Sequence, residues 1–125
     1  MLADKEAMAT IAVKDLAAAR KFYERTLGLQ PIHEEGGGAV TYRSGSSSIL
    51  VYQSQYAGTN QATAGAWTVG AEIDAIVETL RAAGVSFEHY DLPQTSRSGD
   101  IHIAGRLRLA WFKDLDGNIL SLVGE

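Results

Sequence analysis

Cysteine is absent from the 125 residues, which excludes disulfides, thiolate metal sites and cysteine nucleophiles. No apolar run approaches the roughly 18 residues that a membrane span requires. The opening Met1-Leu2-Ala3-Asp4-Lys5-Glu6 has no charged-then-apolar signal pattern, so a cytoplasmic location is expected. Positive charge is also sparse. Lys and Arg number 11 against 15 Asp and Glu, and they are scattered, which gives no electrostatic footprint for nucleic acid or anionic lipid. Histidine occurs three times, as His33, His89 and His102, without the short regular spacing of a zinc motif. What is present is a 46% hydrophobic composition, and a chain of this length buries roughly two thirds of its unfolded surface. One domain, residues 1–125, is therefore expected. Its partners should be a small organic molecule, a second copy of the chain, or both.

The chain runs through one order of elements twice. Met8 to Val13 reads as a strand, Asp15 caps a helix with Leu16, Ala19, Phe22, Tyr23 and Leu27 at helical spacing, and Gly28 stops it. Three strands follow, over Leu29 to Glu34, Ala39 to Arg43 and Ile49 to Gln53. A polar linker over about 55–63 separates this unit, about 7–54, from a second at about 64–125. There Trp67 to Val69 feeds a helix with Ile73, Ile76, Val77 and Leu80 on one face, ended by Gly84. Val85 to Tyr90, Leu107 to Phe112 and Ile119 to Val123 supply three more strands, the last two joined by an Asp116-Gly117-Asn118 turn. Val13 and Gly28 map onto Val69 and Gly84 at an offset of 56, whereas Thr41-Tyr42-Arg43 maps onto Trp111-Phe112-Lys113 at 70. The change places an insertion of about fourteen residues in the second half, over Leu92 to Arg106. That polar loop is a candidate lid or an ordinary surface loop.

Ala9 to Leu29, with its Asp15-Leu16 helix start and its Phe22-Tyr23 and Leu27-Gly28 pairs, and Ala110 to Leu122, with its Asp116-Gly117-Asn118 hairpin, resemble the glyoxalase, bleomycin-resistance and extradiol-dioxygenase superfamily, also called vicinal oxygen chelate. Leu115 stands where that hairpin usually has proline. Ala57-Gly58-Thr59 and Phe87 to Pro93 are similar to a bacterial branch. The resemblance covers nearly the whole chain and implies an α+β fold: two βαβββ modules forming a cup-shaped mixed sheet with helices on the outer face, and a homodimer. It also implies that four side chains, usually His, Gln or Glu, project into the cup to hold a metal. Those positions fall here on Met8, Val51, Ala64 and Ser121, and a one-residue slip reaches only residues such as Leu50 and Leu120. Methyl groups and a thioether offer a divalent cation almost nothing, so no metal and no other cofactor is expected.

Other candidates rest on position. Strand alternation would put Phe87, His89 and Asp91 on one side and Glu88 and Tyr90 on the other, which offers His89, Asp91 and His102 as weak acid/base candidates. Trp67, Trp111 and Tyr90 fall on predicted strands and are candidate pocket walls, as are Ser121 and Gln53, the latter through the face it shares with Val51. Arg97, in a polar loop, is available to meet an anionic group. The leading expectation is a metal-independent small-molecule-binding protein. The alternatives are an enzyme (a lyase, an isomerase or a metalloenzyme with displaced ligands) and a structural or regulatory partner whose cup is filled by its own side chains.

Overall fold

A computed structural model describes all 125 residues. Alternating apolar residues build two mixed sheets. The first holds β1 (Ala9–Val13), β2 (Gln30–Glu35), β3 (Ala39–Ser44) and β4 (Ser47–Gln53) in the order β1-β4-β3-β2. The second holds β5 (Thr63–Gly70), β7 (Ser96–Ser98), β8 (Ile101–Ala104), β9 (Leu107–Lys113) and β10 (Ile119–Gly124) in the order β5-β10-β9-β8-β7, with β6 (Phe87–Glu88) also on β9. In each module the first strand pairs parallel with the last and the other pairs are antiparallel, which is the α+β, two-module fold expected. The sheets approach each other along β1 and β5, where Gly65 sits against Ala9 and Ile11.

Helix α1 (Leu16–Lys21) starts where the Asp15 carboxylate accepts the Ala18 N–H at 3.2 Å, and it runs on as a π-helical turn, Phe22–Thr26. Helix α2 is Ile73–Ala82. Both present apolar residues to the same face of the sheets that bears Ile11, Val13, Val40, Tyr42, Val51, Phe112, Leu120 and Leu122, and these side chains form one buried cluster spanning both modules. We call this the helix face and the other side the open face. The edge-on packing of Phe22 against Tyr23 and its contact with Phe112 carry the first helix onto the second module. No helix is long and apolar enough to cross a membrane.

The expected loop over Leu92 to Arg106 is largely a β-hairpin, β7–β8, because Ile101 and Ile103 pack against the core while Arg97 and His102 face the other way. The insertion begins earlier than expected, directly after Glu88. In the first module Pro31 and His33 pair with the adjacent Tyr42 and Thr41 across a β-bulge. Phe87 and Glu88 pair with Phe112 and Trp111 without a bulge, and pairing with β9 resumes only at His102. Residues 89–101 therefore enter one residue pair beyond the position of the first module's bulge, where Glu34 stands opposite Val40.

Candidate functional site

Register decides which side chains reach the open face. Tyr42 pairs with Ile49 in the first module, whereas Phe112 pairs with Leu120 in the second. The β9–β10 turn is longer by one residue, so the residue equivalent to Ser121 is Leu50, not Val51. Val51 faces the helices and is fully buried. Gln53 shares that face and ends exposed beside Lys14 and Ser54, away from the open side. The positions matching the superfamily's metal ligands are thus Met8, Leu50, Ala64, which lies in a β-bulge, and Ser121. This donor set of a thioether, two hydrocarbon side chains and one hydroxyl does not fit a divalent cation. Nowhere in the chain do three His, Asp or Glu side chains converge as a metal site would require.

The open face of the second sheet is aromatic and polar. Trp111 pairs with Ser121 on β10, and His102 pairs with Leu109 on the same face. Residues 89–95 leave the sheet after Glu88 and fold back over it. Tyr90 packs edge-on against Trp111 at 5.3 Å, and His102 packs edge-on against Trp111 at 4.9 Å. Beneath this segment His102 is 1% exposed, and the Tyr90 N–H donates to its Nε2 at 2.9 Å. A ring nitrogen that accepts carries no proton, so the neutral imidazole holds its proton on Nδ1. That Nδ1 and the Tyr90 hydroxyl are the two buried side-chain polar atoms with no partner in the protein. Each unpaired buried group costs about 1–3 kcal/mol. The residues His102 and Tyr90 line a polar cavity of about 310 Å³ together with Asp91, Thr95 and Arg97.

The expected partnership of His89 with Asp91 does not form. β6 ends at Glu88, so the alternation that would align the two stops there. His89 Nε2 instead lies 2.7 Å from Asp100 Oδ1, and Arg81 donates to Asp100 Oδ2 at 2.6 Å. These contacts, that of His89 first, hold the Asp100 carboxyl below its ordinary range. Arg97 donates to the Gly99 carbonyl at 2.7 Å, with His89 3.4 Å away. His33 stands apart, exposed and paired with Glu35 at 2.7 Å.

Trp67 is on the helix face rather than on the open one. Its register partner is Leu122, it stacks on Phe112 at 6.4 Å, and its indole N–H donates to Ser44 Oγ at 2.9 Å. The two rings wall an apolar cavity of about 530 Å³ between the end of α1 and α2, with Leu27, Leu29 and Ile76. The candidate pocket residues therefore divide. Tyr90, Trp111 and Ser121 share the open face of the second sheet, Trp67 belongs to a cavity on the opposite side, and Gln53 belongs to neither. Beyond Trp67, no sequence signal pointed to that cavity, whose walls come from five separate elements.

The β9–β10 hairpin beside the first helix fastens the two modules together. Asp114 accepts from the Tyr23 hydroxyl, the Asn118 side chain and the backbone N–H groups of Asp116 and Asn118, all at 2.7–2.9 Å. Asn118 donates in turn to the Ala12 carbonyl at 2.7 Å. Burial and the neighbouring Asp114 push the Tyr23 phenol strongly upward, so it stays a donor. This fastening of one module to the other uses the residues that carried the resemblance.

A sequence model of the Glyoxalase/Bleomycin resistance protein/Dioxygenase superfamily matches residues 7–122. The chain belongs to this superfamily. Its fold recurs in TnmS3, an antibiotic binding protein from Streptomyces sp. CB03234, at 18% identity and a TM-score of 0.72, over 99% of this chain and 98% of that one. FosX, a fosfomycin resistance protein from Listeria monocytogenes, is 17% identical with a TM-score of 0.71, over 95% and 91% of the two chains. An integron cassette protein from the mobile metagenome of Halifax Harbour Sewage Outfall is 15% identical with a TM-score of 0.73, over 98% and 99%. At these identities the likeness concerns the fold alone. No curated protein matches the chain in sequence.

Proposed function

We propose that this superfamily member binds a small organic molecule on the open face of its second sheet without a divalent metal. The observation that carries the reading is the Trp111, Tyr90 and His102 cluster, which stands beside Ser121 where the superfamily's ligating side chains would project. A flat apolar wall with a few buried polar groups is what a small-ligand site needs. TnmS3, with this fold, is an antibiotic binding protein, and a sequestering role of that kind suits a face that lacks metal donors. The chain is expected to act in the cytoplasm as a homodimer, a second copy covering edge strand β2, whose six residues are all exposed.

The two tryptophans separate the candidate seats, because Trp111 lies on the open face and Trp67 in the apolar cavity. Single-tryptophan proteins W67F and W111F are titrated with a panel of aromatic antibiotics and metabolites, and emission is followed with and without EDTA. The expected result is a saturable, EDTA-insensitive change in W67F and none in W111F. A response confined to W111F moves the site to the cavity, and a response abolished by EDTA overturns metal independence.

A further inference from the structure

The cover over Trp111 carries a chemical requirement. The rings of His102 and Tyr90 lie 6.3 Å apart, and each buries a polar atom whose hydrogen-bonding capacity is unused. The Tyr90 N–H fixes Nε2 of His102 as an acceptor, which leaves Nδ1–H as a donor, and a phenol hydroxyl donates equally well. The segment that covers them, residues 89–95, contains Gln94, the one non-glycine residue of the chain at positive φ, +56°. Left-handed backbone is unfavourable for a residue with a side chain. Neither unpaired donors nor this backbone is what a permanently packed surface segment selects, since removing the hydroxyl or placing glycine at 94 would relieve them at no cost to a core.

From this, and resting on the binding reading above, we propose that the ligand presents a hydrogen-bond acceptor, a carbonyl or carboxylate oxygen on an aromatic body, to His102 Nδ1–H and the Tyr90 hydroxyl. Residues 89–95 lift to admit it and close over it. The ring lies against Trp111 and the oxygen turns toward the donors. Arg97, exposed on the neighbouring strand with N–H groups beyond the one given to Gly99, favours a carboxylate over a neutral carbonyl. Asp91 borders the same cavity and disfavours an anion on its own side, so the carboxylate sits toward Arg97.

The test uses W67F protein, in which Trp111 is the sole tryptophan, and millimolar benzoate and benzylamine as probes of matched size, one carrying an acceptor and the other only a cationic donor. Benzoate is expected to shift Trp111 emission saturably and benzylamine to leave it unchanged. Adding Y90F should weaken benzoate about fivefold, the effect of one hydrogen bond, and adding H102F should weaken it at least as much. Because H102F alters a buried residue, Y90F is the decisive variant, and without ligand its melting temperature should equal or exceed that of its parent. A lower melting temperature would show that the hydroxyl is already partnered and overturns the proposal. Equal binding of the two probes, or benzoate binding unchanged by Y90F, overturns the acceptor requirement while leaving the binding reading intact. If benzoate fails to move Trp111 while compounds of the larger panel do, the acceptor proposal alone falls. If nothing moves Trp111, both fall.

Discussion

A single carboxylate, Asp114, holds four hydrogen bonds in a nearly dry setting, so its loss should outweigh that of any one of its partners. A hydrogen bond to a charged group contributes about 1.5–3 kcal/mol. Y23F removes one such bond, and D114A removes all four and strands their donors. In urea unfolding, D114A is expected to lose about 3 kcal/mol or more and Y23F roughly half of that. Equal losses would mean that the backbone bonds of the turn contribute nothing. Gly58 is a second sharp position. A Cβ built there would lie 1.9 Å from the Asp116 carbonyl oxygen, and the residue has φ of +75°. G58A should therefore destabilise by about 2 kcal/mol or more, and a neutral result in the same measurement would show that the loop moves freely away from the hairpin. The Asp116-Gly117-Asn118 motif was legible in the sequence as a turn. Its role as the bolt between modules was not, since Tyr23 and Ala12 lie about a hundred residues away in the chain.

Among the elements, strands and helices were legible wherever apolar alternation or a capped, glycine-ended pattern was present. Two departures have physical causes. The hairpin Ser96 to Ala104 reads as polar loop because its only large apolar residues are Ile101 and Ile103, and pairing with β9 supplies the rest. The face of Val51 was misplaced because a one-residue difference in turn length inverts every side chain of a strand, which the offset of 70 alone could not reveal. The inserted element is held to α2 by Asp100, whose carboxylate binds His89 and Arg81. Its acidity is raised in the fold, so this contribution to stability is present above the ordinary carboxylate value and is lost as the pH falls through the depressed one. The stability difference between the wild type and D100N should hold from neutral pH down to about 4 and shrink below it. A difference that persists unchanged at pH 2 would show that the contact is not ionic. Asp100 retains some solvent exposure, so the difference will be modest.

At the scale of the molecule, β2 lies uncovered along its whole length, and Ile32 and Leu107 are exposed large apolar residues. Light scattering after size exclusion should give twice the chain mass of 13.4 kDa. An I32K substitution on this edge should shift that toward the monomer, and a monomer already in the wild type would remove the basis for pairing through β2. Titration with manganese or zinc is expected to leave the melting temperature unchanged, since a cation held only by the folded state would raise it.

The closeness of the insertion in the second module to the position that carries a β-bulge in the first has a use outside ligand binding. A bulge is a point where a strand has already given up strict pairing, so additional chain can leave and rejoin the sheet there without disturbing the hydrogen bonds on either side. The duplicated architecture carries the inserted residues 89–101 near this position in one module and a single extra residue, Ile32, in the other. The equivalent place in the first module, directly after His33, lies on edge strand β2, so a foreign peptide grafted there would be displayed from the monomer and would block pairing through that edge.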